Sequence, residues 1–179
     1  ILDNTWAAGV YHKPLDLGVD LSVHALTKYA VGHADGFGGA VMTTSRKHAK
    51  ALADCAADWG IALGPDDAYT ALRGLRTLHT RLNAHETAGL KVAHWLADQP
   101  WISEVLHPAL ETHADHAIWQ RDFTGSCGLF GAVMAPTSAE ELTESLAKLS
   151  LFKMGFSWGG FESLLIPCDE QLNRSSGDW

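Results

Sequence analysis

The stretch SVHALTKYAVGHAD, residues 22–35, decides how this chain is interpreted, because it places one lysine in an unusual setting. Lys28 lies between Thr27 and Tyr29, and a Gly-His pair follows shortly after, which is not typical of a solvated surface lysine. A short apolar run, Ile1-Leu2-Asp3, precedes it by one strand–helix–strand length and ends in a carboxylate. The pattern indicates that the lysine amine and this carboxylate serve one site.

These two groups are the contacts that pyridoxal phosphate (PLP) most needs, a lysine that forms a Schiff base and a carboxylate that keeps the pyridine nitrogen protonated. Lys28 is the candidate Schiff-base lysine, Asp3 the candidate partner of the ring nitrogen, and Thr27 a candidate donor to the phosphate. Each has an ordinary alternative, namely a surface lysine, a strand-end or N-cap aspartate, and a turn hydroxyl. Their combination within one short stretch favours the cofactor.

Composition restricts the remaining possibilities. Of the 179 residues, 46% are hydrophobic and 19% charged, so a substantial core is expected. The formal net charge of -8, with no basic run longer than Arg46-Lys47, argues against a nucleic-acid or anionic-membrane partner. Three cysteines without a CxxC pair predict free thiols in a reducing compartment, hence the cytoplasm. No apolar run approaches the roughly 20 residues of a membrane span.

The pattern of apolar residues and caps predicts an alternation of strands and helices. Strands are predicted at 1–3, 19–23, 38–44, 104–107, 128–134 and 164–167. Helices are predicted at 46–59 after an N-cap at Ser45, at 138–149 with a capping box, and in one tract over 65–100 in which Gly74 and Gly89 would allow a kink. We expect 1–64 to be part of a cofactor-binding large domain, 65–100 a long connecting helix and 101–179 part of a small domain. Both ends indicate an interior segment of a longer protein.

Four segments in order resemble the Cys/Met-metabolism family of PLP enzymes, which have fold type I and are related to aspartate aminotransferase. These segments are residues 3–9 (DNTWAAG), 27–35 (TKYAVGHAD), 73–78 (RGLRTL) and 157–164 (SWGGFESL). The resemblance implies a three-layer α/β/α large domain in an α/β fold with a smaller C-terminal α+β domain. It also implies PLP as the cofactor and a homotetramer built as a dimer of dimers.

The resemblance also assigns residues. Lys28 would be the Schiff-base lysine, Asp3 the partner of the pyridine nitrogen and Thr27 a phosphate contact, while Ser157 and Trp158 would lie beside the substrate and the lysine. One position departs from the family, since Ala25 stands where many members have a serine that touches the phosphate. The arginine for the substrate carboxylate is expected after residue 179. The ring-stacking tyrosine and the phosphate ligands lent by a neighbouring subunit are expected before residue 1.

Two tryptophans bear on the activity. Trp6 and Trp158 stand where the γ-lyases and γ-synthases of the family usually have Phe and Leu, which favours β-elimination. The resemblance then implies a PLP-dependent carbon–sulfur lyase that converts a thioether amino acid, cystathionine, to homocysteine, pyruvate and ammonia in methionine biosynthesis. Two alternatives stay open, a γ-elimination enzyme of the same family and a regulatory module that has lost turnover.

A metal site is the competing interpretation of the ten histidines. His113 and His116 are three residues apart, but they fall in a polar stretch with Asp115 and without a closed ligand set. Solvated histidines in a loop are the ordinary outcome, so no metal is predicted. The glycine-rich residues 36–39 lack the strand–GxxxxGK–helix context of a phosphate loop.

Overall fold

The computed structural model describes residues 1–169, and secondary structure alternates along most of that length. The strands are β1 (Leu2–Asp3), β2 (Ser22–Ala25), β3 (Gly39–Met42), β4 (Ile102–Leu106), β5 (Gly131–Met134), β6 (Lys153–Met154) and β7 (Leu164–Leu165). The helices are α1 (Arg46–Asp58), α2 (Pro65–Leu75), α3 (Leu78–Ala97), α4 (His116–Asp122) and α5 (Ala139–Ala147), with a 3₁₀ turn at Pro14–Leu17. Within the described part, no helix is long and apolar enough to cross a membrane.

The first sheet, in the order β1-β2-β3, positions the two groups singled out above. Strand β1 runs parallel to β2 with Asp3 opposite Val23, and β3 is antiparallel to β2. Asp3 therefore lies at the carboxyl end of β1, and β2 ends at Ala25, three residues before Lys28. The strand predicted at 19–23 is displaced, because the amide of Val19 closes the preceding 3₁₀ turn by donating to the Pro14 carbonyl.

The helix caps agree with the sequence. The Ser45 side chain accepts from the amide of His48 at 3.3 Å at the start of α1. Ser138 and Glu141 form the predicted capping box at the start of α5. Both features need only contacts within four residues, so they are visible in the sequence.

The prediction of one continuous helix over 65–100 is wrong, since α2 ends at Leu75 and α3 begins at Leu78. The Gly74 carbonyl accepts from the amide of Thr77 at 3.1 Å and from a guanidinium nitrogen of Arg81 at 2.7 Å. In a continuous helix that carbonyl would accept from the amide of residue 78. The local turn and the arginine replace that bond and end α2.

In the last third of the described chain, the strands predicted at 104–107, 128–134 and 164–167 correspond to β4, β5 and β7, whereas β6 and α4 were not predicted. Strands β4 and β5 pair antiparallel, and β6 and β7 pair parallel. The prediction of a loop around His116 is wrong, because His116 is the first residue of the two-turn helix α4. Strand β6 has only two residues, too few for a periodic pattern.

The main apolar core joins distant parts of the chain. Its buried members are Ala7, Tyr11, Tyr29, Leu78, Leu82 and Cys127. Trp6 and Trp158 pack against this cluster, and a second cluster forms around Ala93, Val105 and Leu110. Because Tyr29 belongs to the main core, the residue beside Lys28 is held by packing. The division at residues 64 and 100 into large domain, connector and small domain stays a prediction.

Candidate functional site

Lys28 lies in a compact turn that follows β2, residues 26–32, which we call the lysine turn. The Lys28 amide donates to the Ala25 carbonyl at 3.2 Å, and the Lys28 carbonyl accepts from the amide of Gly32 at 2.9 Å. The amide of Val31 donates to the Leu26 carbonyl at 2.9 Å. The backbone around the lysine is therefore fixed by its own hydrogen bonds, and the side chain projects from a defined base.

The Lys28 ammonium lies between two side chains from the far end of the chain. Its Nζ donates to the Ser157 Oγ at 3.0 Å and lies 4.0 Å from the centre of the Trp158 ring. The second contact is a cation–π interaction. Within residues 1–169 Lys28 forms no ion pair with a carboxylate. The structure thus brings together the lysine and both residues that the resemblance placed beside it.

The backbone that carries Ser157 and Trp158 rests directly on the lysine turn. A Cβ at Gly159 would lie 2.9 Å from the Tyr29 amide nitrogen and 3.1 Å from the Lys28 carbonyl carbon, so only glycine allows this approach. Ser157 has a positive φ of 119°, a region that favours glycine. A non-glycine residue held there stores backbone strain, which is common at functional sites.

Asp3 is held as an anion by its neighbour two residues on. Its Oδ1 accepts from the Thr5 hydroxyl at 2.6 Å and from the Thr5 amide at 2.9 Å. These two hydrogen bonds, with a smaller contribution from His24, lower the pKa of the Asp3 carboxyl. The Thr5 hydroxyl also accepts from the Ala25 amide at 2.9 Å, which ties the carboxylate to the strand leading to the lysine. Sequence reasoning missed Thr5, although its position two residues after Asp3 was a usable signal.

His24, on β2, interacts electrostatically with this carboxylate. It is buried, and its Nε2 is 3.2 Å from the Ser22 Oγ. Burial lowers the pKa of the His24 imidazole, and the charge of Asp3 only partly opposes that shift. The ring therefore favours its neutral form.

Thr27 uses its hydroxyl within the turn. The hydroxyl donates to the Gly38 carbonyl at 3.3 Å and accepts from the Gly38 amide at 3.1 Å. These bonds hold the start of the lysine turn against the residue before β3. A phosphate contact for Thr27 requires the hydroxyl proton to turn away from Gly38, and that contact stays a prediction.

The residues present fit PLP. The cofactor requires a primary amine that is free of a carboxylate partner and a carboxylate that stays ionised opposite a pyridinium. Lys28 meets the first requirement within the described part, and Asp3, with Oδ1 committed to Thr5, offers Oδ2 for the second. Across residues 1–169, no cluster of three or more His, Cys, Asp or Glu side chains could hold a metal ion.

The fold and this donor set agree with what the family resemblance implies, a PLP-binding fold of type I. The family model described as Cys/Met metabolism PLP-dependent enzyme matches residues 1–175, and the chain belongs to that family. Cystathionine beta-lyase of Escherichia coli (strain K12) is 47% identical over 167 residues, which are 93% of this chain and 42% of that protein. An L-alanine/L-glutamate racemase of Wolbachia pipientis wMel is 39% identical over 177 residues, covering 98% of this chain and 44% of that protein.

The solved structures agree with the sequence relatives. A cystathionine gamma synthase from Xanthomonas oryzae pv. oryzae, in complex with aminoacrylate and cysteine, superposes with a TM-score of 0.85 at 34% identity. The match covers 89% of this chain and 41% of that one. The predicted fold class is therefore confirmed. The chain spans less than half the length of the curated relatives it matches.

Proposed function

We propose that the protein containing this chain is a PLP-dependent carbon–sulfur β-lyase. In this proposal cystathionine and one water give homocysteine, pyruvate and ammonia, with the bond between sulfur and the β-carbon broken. The observation that carries it is the Lys28 amine, held 3.0 Å from the Ser157 Oγ and 4.0 Å from the Trp158 ring centre. The relative at 47% identity that is named cystathionine beta-lyase supports the choice of substrate.

Bound PLP supplies an electron sink for the pair left when the substrate α-proton is removed. The other roles in the reaction are assigned to residues of this chain. Lys28 would hold the cofactor through Nζ, and the same amine, when free, would accept the substrate α-proton. Asp3 would keep a proton on the ring nitrogen, since the hydrogen bonds from Thr5 lower the pKa of the carboxyl and stabilise its charged form. Thr27 is assigned to the phosphate.

Ser157 and Trp158 orient the amine and shape the substrate end of the site. The Ser157 hydroxyl accepts from Nζ, which directs the amine without adding a charge. The Trp158 ring covers the other side of the amine, and its indole N–H, although buried, has no partner within residues 1–169. We assign that N–H to a group of the substrate or cofactor, since a buried donor without a partner is costly.

The test uses the full-length protein. Its visible absorbance is recorded before and after borohydride, and the modified peptide is mapped. A band removed by borohydride, with the pyridoxyl group on Lys28, supports the assignment. Lys28→Ala should then lose turnover, whereas Lys50→Ala, at an exposed pair with Asp54, should keep it. A protein that shows no such band after addition of PLP contradicts the proposal.

Product analysis separates the alternatives. Pyruvate from cystathionine supports β-elimination, 2-oxobutyrate indicates γ-elimination, and interconversion of alanine enantiomers without pyruvate indicates a racemase like the relative named above. Trp158 supports β-elimination because it stands where the γ-enzymes of the family usually have Leu, and it contacts the lysine amine itself. Trp6 does not touch the amine, since its indole N–H donates to the Leu129 carbonyl within the core, so it bears on packing.

We also propose a homotetramer, a dimer of dimers, located in the cytoplasm. Large apolar side chains are exposed on the α1–α2 side, including Trp59 and Ile61, and a subunit contact would cover them. The three free cysteines fit a reducing compartment. Light scattering of the full-length protein tests the assembly, and a monomer at micromolar concentration would contradict it.

A further inference from the structure

Arg81, on the first turn of α3, directs its guanidinium at the lysine turn and not at a carboxylate. One terminal nitrogen donates to the Tyr29 carbonyl at 2.7 Å. The other donates to the Gly74 carbonyl at 2.7 Å and is 3.5 Å from the Ala30 carbonyl. The Nε donates to the Thr77 hydroxyl at 3.1 Å. One side chain thus joins the turn that bears Lys28 to the α2–α3 junction.

Placing a charged arginine against main-chain carbonyls has a cost in desolvation free energy. Within residues 1–169 Arg81 forms no ion pair, and burial lowers the pKa of its guanidinium because the charged form is desolvated. A half-buried arginine normally pairs with a carboxylate, which compensates for the lost hydration. Here main-chain carbonyls provide that compensation, and the rigid planar fork suits several acceptors at once.

Two glycines leave room for this arrangement. A Cβ on Gly32, which has a φ of 74°, would lie 2.0 Å from a guanidinium nitrogen of Arg81. A Cβ on Gly74 would lie 2.0 Å from the Ala30 carbonyl oxygen and 2.6 Å from that of Val31. The lysine turn therefore packs closely against α2 at Gly74 and against the Arg81 guanidinium at Gly32. Of the side-chain hydrogen bonds that Arg81 forms within residues 1–169, only the one to Thr77, the N-cap, belongs to α3.

We infer that Arg81 is a positioning residue that fixes the direction of Lys28 by clamping the carbonyls of Tyr29 and Ala30. Together with the hydrogen bond between the Lys28 and Gly32 main chains, the clamp leaves the lysine backbone a single orientation. Arg81 touches neither the amine nor a reacting atom, so its effect passes through the turn. This inference rests on the proposed function for its kinetic consequence, and its structural consequence is independent of it.

The first experiment measures hydrogen exchange in the cofactor-free, full-length protein. In Arg81→Lys, the amides of Val31 and Gly32 should exchange at least ~10-fold faster than in the wild type, because the compact ammonium lacks the planar fork whose three nitrogens reach separate acceptors. Exchange in α5 and in the β4–β5 pair should not change. The control is Arg46→Lys, at an exposed position on α1.

The second experiment separates kcat from KM for pyruvate release. Arg81→Lys and Arg81→Ala should lower kcat by roughly 10- to 100-fold, as expected for a displaced catalytic group, with KM within about 3-fold. Guanidinium ion at millimolar concentration should restore part of the loss in Arg81→Ala but not in Lys28→Ala. If Arg81→Ala does not fold, Thr77→Val, which removes the acceptor of Nε, should show the same kcat effect at smaller size.

The outcomes are distinguishable. Faster exchange confined to the turn with no pyruvate from the wild type would support the clamp and overturn the proposed function. Wild-type exchange at Val31 and Gly32 in Arg81→Lys would overturn the clamp, whatever the activity. Faster exchange throughout α2, α3 and the turn would also overturn it, because Arg81 would then serve general stability. An increase in KM with unchanged kcat would place Arg81 in substrate binding.

Discussion

The Lys28 Nζ and the Ser157 Oγ are 3.0 Å apart, although 129 residues separate them along the chain. Ser157 holds this position with a φ of 119°. The strained backbone places the hydroxyl on the amine, so the local conformation at one end of the described chain sets the environment of a lysine at the other. The serine can therefore be tested for its hydroxyl and its strain separately.

Ser157→Ala removes the hydroxyl and keeps the strain, while Ser157→Gly removes both. We expect both variants to lose about 3- to 10-fold in kcat, the effect of one hydrogen bond of about 1 kcal/mol. Ser157→Gly should be more stable than Ser157→Ala by about 1 kcal/mol, because glycine adopts positive φ without strain. Steady-state kinetics and denaturant unfolding measure the two effects. Equal stabilities would contradict the assignment of strain.

Trp158 contributes both a ring face and an N–H. Trp158→Phe keeps a ring over the amine but loses the N–H, and we expect its kcat/KM to fall about 3- to 10-fold. The kcat/KM of Trp158→Ala should fall further, because this variant also loses the cation–π contact of about 0.5–1 kcal/mol. The control is Trp95→Phe, since Trp95 is exposed and pairs with Trp101 away from the lysine. A Trp158→Phe enzyme as active as the wild type would show that the N–H has no ligand.

Thr5→Val should raise the pKa of Asp3 toward its ordinary value, since the side-chain hydrogen bond from Thr5 is the main cause of the lowered pKa. A carboxyl whose pKa is lowered by folding stabilises the native state above about pH 4, and that contribution is lost as the pH falls through the native pKa. The acid-induced loss of melting temperature should therefore be smaller in Thr5→Val than in the exposed control Thr80→Val. Thermal unfolding between about pH 3 and 6 measures it. If the melting temperatures of Thr5→Val and Thr80→Val fall equally as the pH is lowered, this prediction is contradicted.

Gly74→Ala should destabilise the protein by about 3 kcal/mol or more, because the added Cβ meets the carbonyl oxygens of Ala30 and Val31, which are backbone and cannot swing away. The matched control is Gly131→Ala on β5, where the Cβ would make an ordinary 3.5 Å contact with the Leu106 side chain. Urea unfolding of both variants is the measurement. A Gly74→Ala protein with the midpoint of the control would contradict the close approach of α2 to the lysine turn.

Cys127 should resist alkylation. Its side chain is fully buried in the main core, and burial raises the pKa of its thiol to about 11. Iodoacetamide reacts with thiolates, so at pH 8 the exposed Cys55 should be labelled and Cys127 should be labelled only after denaturation. Mapping of the alkylated peptides by mass spectrometry gives the result. Native labelling of Cys127 at the rate of Cys55 would mean that the core opens readily around Tyr29.

The elements that the sequence predicted well are those specified by neighbouring residues. The N-cap at Ser45 and the capping box at Ser138 involve contacts over three residues. Strand β3 has a glycine at its start and the β-branched residue Val41. The break between α2 and α3 was not predictable in this way, because it depends on the contact of Gly74 and Arg81 with the lysine turn.

The residues of the candidate site show the same difference between local and long-range contacts. Lys28 and Asp3 stood out from their own surroundings in the sequence, whereas Ser157 and Trp158 needed the family resemblance, since 129 residues separate Ser157 from the lysine. Thr5 was missed despite its short spacing from Asp3. The sequence did not single out Arg81, because arginines are common on helices and its carbonyl acceptors are visible only in the structure.

The close packing of Gly159 on the peptide between Lys28 and Tyr29 also fixes when the site forms during biosynthesis. When Lys28 leaves the ribosome, the residue that covers its turn has not been made. At about 5–20 residues per second, the delay is of the order of ten seconds. A nascent or truncated chain that stops before Ser157 presents the lysine without its hydroxyl partner, its aromatic cover or the glycine beneath them. The surroundings of Lys28 are therefore complete only after translation has passed the last of the four family segments.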